Sequence, residues 1–143
     1  MQIVERHPAT KTYLIYSWRD FEDDVRRILQ FLSLAGRDWP YTGIFAIPRG
    51  GLVLGVRLSH ELDLPLIWGG VTKDVLIVDE ICDKGSTLQP YIDRGCDSIV
   101  IHRREGSSIR PTFWAQEVPL YNHTYVVYPW ESNKEKGACY AQV

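Results

Sequence analysis

Short apolar runs broken by glycine, proline or charge set the rhythm of this chain. Thr12 to Tyr16 reads as a strand, and Ser17 as an N-cap with Asp20 three residues on, a weak capping box. Behind it Trp18, Phe21, Val25, Ile28, Leu29 and Leu32 fall on one helical face, with Arg19, Asp23, Arg26 and Arg27 opposite. Gly36 is the expected stop. Gly43 to Ile47 is the next strand, followed by a helix from about Leu52 to Leu62 with Leu52, Val56 and Leu62 facing inward. Leu64 to Trp68 and Val75 to Val78 read as further strands. A short helix follows Gly85, with Pro90 fitting only its first turn. Ser98 to His102 and Thr124 to Tyr128 complete the strands. Strands alternating with helices across short links predict an α/β fold, a doubly wound, mainly parallel sheet flanked by helices. No repeat or low-complexity linker interrupts it, so residues 1–143 are expected to form a single domain.

The densest chemistry lies from Val75 to Thr87, Val-Leu-Ile-Val-Asp-Glu-Ile-Cys-Asp-Lys-Gly-Ser-Thr. Four apolar β-formers read as a buried parallel strand. Asp79 and Glu80 then emerge at its carboxyl end, where open α/β sheets place ligands. Asp83 to Thr87 supplies backbone N–H groups, a glycine and two hydroxyls, a cradle suited to a phosphate dianion. Acceptors for hydroxyls or a metal thus stand beside donors for a phosphate, and a ribose phosphate has both needs. The strand also fits the acidic strand of a nucleoside triphosphatase, but that needs a Gly-x-x-x-x-Gly-Lys-(Ser or Thr) loop. The chain contains none. A buried strand with incidental carboxylates is the plainer alternative.

These residues resemble the signature of the type I phosphoribosyltransferases: a hydrophobic strand, two acidic residues, two variable ones, then Asp-Thr-Gly-(Gly or Ser)-Thr. Lys84 departs from it, standing where threonine is usual; its cation either replaces a hydroxyl contact or reshapes the loop. The resemblance implies that Asp79 and Glu80 hold the ribose hydroxyls of phosphoribosyl pyrophosphate (PRPP). It likewise implies that Asp83, Lys84, Gly85, Ser86 and Thr87 wrap the 5-phosphate. Magnesium is the implied cofactor, held at Asp79 and Glu80.

A second match comes about thirty residues earlier, at Gly43-Ile44-Phe45-Ala46-Ile47-Pro48-Arg49-Gly50-Gly51-Leu52. Arginine gives paired donors to phosphate oxygens, and glycines admit close backbone approach. Alone this also reads as a helix-capping turn. In the resembled family the corresponding loop binds pyrophosphate, often with a cis peptide before the arginine. That implies pyrophosphate contacts at Pro48, Arg49, Gly50 and Gly51, with Arg49 acting on the leaving group. Asp83 is the implied partner for proton exchange with the acceptor base.

The C-terminal third is rich in aromatics: Phe113, Trp114, Tyr121, Tyr125, Tyr128, Trp130 and Tyr140. Flat rings stack on nucleobases, though most such residues serve a core or interface. Tyr125-Val126-Val127-Tyr128-Pro129-Trp130-Glu131 resembles the base-binding segment of bacterial xanthine–guanine phosphoribosyltransferases. The likeness implies stacking by Tyr125, backbone contacts from Val126 and an exocyclic contact near Glu131. It divides the chain into a core of about residues 12–104 and a small base-binding C-terminal hood of about 105–143. Where that family places a lysine on the 6-oxo group, this chain has His102-Arg103-Arg104. Arg103 either donates to the same oxygen or belongs to a solvated basic edge. Between Trp68 and Val75 only Gly69-Gly70-Val71-Thr72-Lys73-Asp74 remain, where catalytic members carry a longer closing loop. A lid from a neighbouring subunit, reliance on Lys73, or retained binding without catalysis would each accommodate the loss.

Composition changes little. A net charge of −2 disfavours a nucleic-acid partner that needs a basic surface, and no apolar run approaches a membrane span. Neither nucleic acid nor membrane is an expected partner. The N-terminus does not read as a signal peptide, and with three cysteines but no Cys-x-x-Cys pair a reducing cytoplasm is the expected setting. Cys82 reads as a small buried hydrophobe. His7, His60, His102 and His123 show no ligand spacing and read as surface or capping residues. The aromatic tail favours a homodimer or higher homo-oligomer. The expected activity is therefore transfer of the phosphoribosyl group of PRPP to a purine base such as xanthine, guanine or hypoxanthine, releasing pyrophosphate. The alternative is a non-catalytic PRPP- or nucleotide-binding regulator.

Overall fold

The computed structural model describes residues 1–6, 11–34, 41–119 and 124–131. Side chains of residues 2–6 are not described, and the expectations for His7, Gly36, Tyr121, His123, Cys139 and Tyr140 lie outside the described residues. The chain divides into two compact units, one of residues 1–23 and 119–143, the other of residues 24–118.

The first unit is built on a three-stranded sheet of β1 (Gln2–Arg6), β2 (Lys11–Ile15) and β7 (Thr124–Val127), in the order β1-β2-β7. β1 runs antiparallel to β2, and β2 parallel to β7. Helix α1 (Trp18–Leu34) starts here and continues into the second unit. The expected capping box is present: Asp20 N–H donates to Ser17 Oγ at 3.0 Å, and Ser17 N–H donates to Asp20 Oδ2 at 2.9 Å. Tyr16, Phe21, Tyr128 and Trp130 close an aromatic cluster, with Tyr128 and Trp130 stacked at 4.9 Å. Trp18, expected inward, is exposed but rests against Phe21 and Trp130.

The second unit holds a four-stranded parallel sheet, β3 (Gly43–Ala46), β4 (Val75–Cys82), β5 (Ser98–Arg104) and β6 (Phe113–Val118), in that order. Helices α2 (Gly51–Leu62) and α3 (Gln89–Asp93) complete it. A parallel bridge between Ile44 and Leu66 adds one more residue outside β3. After α2 the chain thus passes outside β3 and then returns to its other side as β4. That reversal is the topological switch of a doubly wound sheet, the place where such folds bind ligands. Strand residues alternate between faces. Ala46 meets α2, while Ile47, Val75, Ile77 and Val100 join Leu88, Cys96 and Ile109, with Tyr91 and Ile92 of α3 packed on them.

Several expectations change. Leu64 to Trp68 is not a strand: Pro65 has no N–H to give, and pairing shrinks to the Leu66 bridge beside bonds from Ile44 N–H to Pro65 O and Ile67 N–H to Ile44 O. The buried face of α2 is Gly51, Leu54, Gly55 and Leu58, not Leu52, Val56 and Leu62. Gly55 sets that face, because any Cβ there would strike the Ala46 side chain; Val56 is 43 % exposed. β6 pairs with β5, and β2 with β7. His102 is fully buried within β5, not a surface or capping residue. On the inward face of α1, Asp24 is also fully buried: it accepts from Gln116 Nε2 and Arg27 Nη1, both at 2.8 Å. None of the described helices is long and apolar enough to cross a membrane.

Candidate functional site

The acidic pair does not end its strand. β4 runs through Asp79 and Glu80 to Cys82, paired along β5 as far as Cys82 with Arg103. On its other edge β3 stops at Ala46, opposite Val78, and the last link is Ile47 N–H donating to Val78 O at 2.9 Å. Beyond that point β4 is paired on one side only. The chain from Pro48 to Gly51 turns there into α2, with Gly51 N–H bonded to Ile47 O.

The two glycines leave room for the acidic pair. Gly50 has ordinary helical angles, φ −61° and ψ −33°, so backbone freedom is not the reason. A Cβ on Gly50 would coincide with the Glu80 carboxylate. One on Gly51 would lie 2.6 Å from Val78 O and 3.0 Å from Asp79 Cα. The Arg-Gly-Gly loop and the acidic pair therefore form one surface, with the Pro48 and Arg49 side chains exposed beside it. The Pro48–Arg49 peptide is cis, as the resemblance implied.

Asp79 is only 7 % exposed, and its Oδ1 accepts the Glu80 N–H at 2.9 Å. Burial outweighs that bond and pushes its carboxyl up to about 6. A cation, or hydroxyl donors from a ligand, would restore the lost solvation of its ionised form. Among the described residues no group of three or more His, Cys, Asp and Glu is placed to hold a metal ion.

Residues 79–88 line a cavity of about 290 Å³. Gly85, at φ +85°, adopts a conformation that other residues rarely take, and the Ile109 side chain fills the space of its missing Cβ. Lys84, Ser86 and Thr87 are exposed around it. α3 begins only at Gln89, so the loop is longer than expected and closes through Gln89 N–H donating to Gly85 O at 3.0 Å. Asp83 is half exposed and accepts from Arg104 Nε at 2.6 Å. Cys82 is buried, 3.6 Å from Ser107 Oγ, and burial pushes its thiol up, which suits packing better than reactivity.

Arg103 is held mainly by backbone carbonyls. Its Nε donates to Ile109 O at 3.1 Å and Nη2 to Ser107 O at 2.9 Å, while Nη1 lies 3.4 Å from Glu117 Oε1. Its guanidinium also covers the Trp114 ring at 5.1 Å. These contacts commit it to the loop between β5 and β6.

In the first unit, Tyr125 is partly exposed on β7, 6.1 Å from Tyr13 and 5.9 Å from Lys11 Nζ. Val126 is buried within β7, and Glu131 follows a turn closed by its own N–H to Tyr128 O. The structure thus brings together residues 48–51, 79–80 and 83–87 within the second unit, and Tyr125, Val126 and Glu131 within the first.

No protein-family model matches the chain. A xanthine–guanine phosphoribosyltransferase of Nitratidesulfovibrio vulgaris strain Hildenborough is 26% identical over 141 residues, covering 81% of this chain and 83% of that protein. The crystal structure of a purine phosphoribosyltransferase from Pyrococcus horikoshii superposes with a TM-score of 0.70 at 23% identity, covering 85% of this chain and 95% of the other. A Neisseria gonorrhoeae protein solved with bound ppGpp gives 0.66 at 16%, covering 91% and 94%. The chain has the type I phosphoribosyltransferase fold. Within that class, its sequence is similar to bacterial xanthine–guanine phosphoribosyltransferases.

Proposed function

We propose that the chain binds PRPP across residues 48–51 and 79–88 and transfers its phosphoribosyl group to a 6-oxopurine, releasing pyrophosphate. The approach of Gly50 to the Glu80 carboxylate carries this reading. It puts a pyrophosphate-type loop directly against a ribose-type acidic pair, with the phosphate cradle following in the same strand and loop. Arg49 and the neighbouring amides would stabilise the leaving pyrophosphate. Asp79 and Glu80 would hold the ribose near its reactive geometry, and residues 83–87 the 5-phosphate. Proton exchange at Asp83 would require its contact with Arg104 to open. Base contacts by Tyr125, Val126 and Glu131 rest on the sequence resemblance, a cytoplasmic setting on the cysteine pattern, and a homodimer or higher homo-oligomer on the aromatic tail.

Magnesium fits this donor set. Two adjacent carboxylates, with no third His, Cys, Asp or Glu grouped with them among the described residues, suit an octahedral ion that keeps waters and takes oxygens from substrate phosphates. Asp79 and Glu80 would hold it, and its charge would screen the departing pyrophosphate.

A second reading, a nucleotide-binding regulator, has its own observation. The connection before β4 is short and tied down: Ile67 and Val71 pack on the core, Thr72 O accepts from Cys96 Sγ, and Asp74 O accepts from Thr42 N–H. Such a segment cannot close over a ligand as a long lid does. The Neisseria gonorrhoeae protein of similar fold was solved with bound ppGpp, which supports nucleotide binding in a chain of this fold. Mixing PRPP and magnesium with guanine, xanthine or hypoxanthine, and following pyrophosphate and nucleotide, separates the two. Transfer supports the enzyme; bound PRPP with no pyrophosphate supports the regulator; neither binding nor transfer contradicts both.

A further inference from the structure

Resting on the reading of residues 83–87 as a phosphate cradle, we propose that Arg103 is a positioning residue for that cradle and makes no contact with the base. Arg103 stands at the end of β5, opposite Cys82. Its side chain is 17% exposed, and its two carbonyl bonds hold Ser107 and Ile109. Ile109 reaches the cradle itself, and Ser107 reaches the residue just before it. Ile109 is buried against Gly85, in the space a Cβ would occupy, and Ser107 Oγ faces the Cys82 thiol. Ser107 Oγ also accepts the Ile109 N–H at 3.3 Å, so the two act as one turn. Trp114 supports the guanidinium from β6 at 5.1 Å, and Arg110 lies 5.2 Å from the same ring. The chain of contact is Trp114 to Arg103, Arg103 to the carbonyls of 107 and 109, and Ile109 to Gly85. Gly85 holds a positive φ that few residues share, so the cradle's shape depends on what packs against it. A guanidinium satisfying two carbonyls in fixed directions locks such a turn in a way that a lysine cannot.

The test uses Arg103→Met, which keeps the apolar stem and removes the donors, with PRPP and pyrophosphate as probes in magnesium by titration calorimetry. Under the proposed function PRPP uses the cradle, whereas pyrophosphate uses the Arg49 loop. The expected result is PRPP affinity lower by about tenfold or more, the loss of one or two charged hydrogen bonds, with pyrophosphate affinity unchanged. Ile109→Ala leaves the arginine's bonds in place and empties only the space against Gly85; it should reproduce the selective loss, and it carries the test if Arg103→Met does not fold. Unchanged PRPP affinity, with or without weaker purine binding, overturns the proposal. So does an equal loss of both probes, which signals general damage. Wild-type protein that binds pyrophosphate but no PRPP removes the cradle reading itself, a failure visible before any variant is made.

Discussion

Asp79→Asn should gain stability relative to the wild type as pH rises, by an amount the structure allows to be worked out. Asp79 is buried, and its carboxyl titrates at about 6 in the folded chain against 3.8 for an ordinary aspartate. Raising a folded pKa above the unfolded one means that ionisation opposes folding. The penalty is absent well below the unfolded value and complete above the folded one. Two pKa units correspond to about 3 kcal/mol at full ionisation. Between about pH 4 and pH 8 the wild type should therefore lose about 2 kcal/mol through this group, because a small part of the penalty is already present at the acid end. Asparagine can still accept the Glu80 N–H but cannot ionise. Its amide N–H brings a cost of its own, yet that cost does not change with pH and cancels when the two pH values are compared. Urea unfolding of both proteins at the two pH values, without ligand or metal, measures the difference. A stability gap between variant and wild type that is the same at both pH values would refute the burial argument for Asp79.

Gly50→Ala should separate stability from function. The backbone angles suit alanine, and the less flexible unfolded chain favours folding by about 0.4–1 kcal/mol, yet the new methyl must push the Glu80 carboxylate aside. Unfolding midpoints should hold or rise while magnesium-dependent PRPP binding falls by more than about tenfold; retained affinity would show that Glu80 need not sit where it does. Asp24→Ala should cost about 1–3 kcal/mol by leaving the Gln116 amide short of its buried acceptor, measured by urea unfolding, while PRPP affinity is unchanged.

The two candidate loops were legible as motifs because each is contiguous in sequence: residues 48–51 and 83–87 carry glycine, arginine and hydroxyls at fixed offsets. The reversal of strand order between β3 and β4 sets the first of them against Asp79 and Glu80, from which the second follows in the chain, and alternating elements had already implied such a sheet. What escaped has physical reasons. The α2 segment Leu52-Val53-Leu54 is apolar on every side, so its buried face is chosen by Gly55, whose missing side chain lets the helix approach Ala46. β1 and β6 mix polar and apolar residues as sheet-edge strands do, and they carry no clean period. Asp24 sits on an apolar helical face because Gln116, 92 residues away, bonds to it. The contacts of Arg103 were not legible because its main partners are backbone carbonyls, which leave no trace in residue identity.

Titration of PRPP into the protein with magnesium, beside Arg49→Ala and Asp79→Asn, tests most directly whether the joined loops form one PRPP site. Saturable binding to the wild type that either substitution reduces by at least about tenfold is the predicted result. No binding to the wild type, or affinity indifferent to both substitutions, would contradict it.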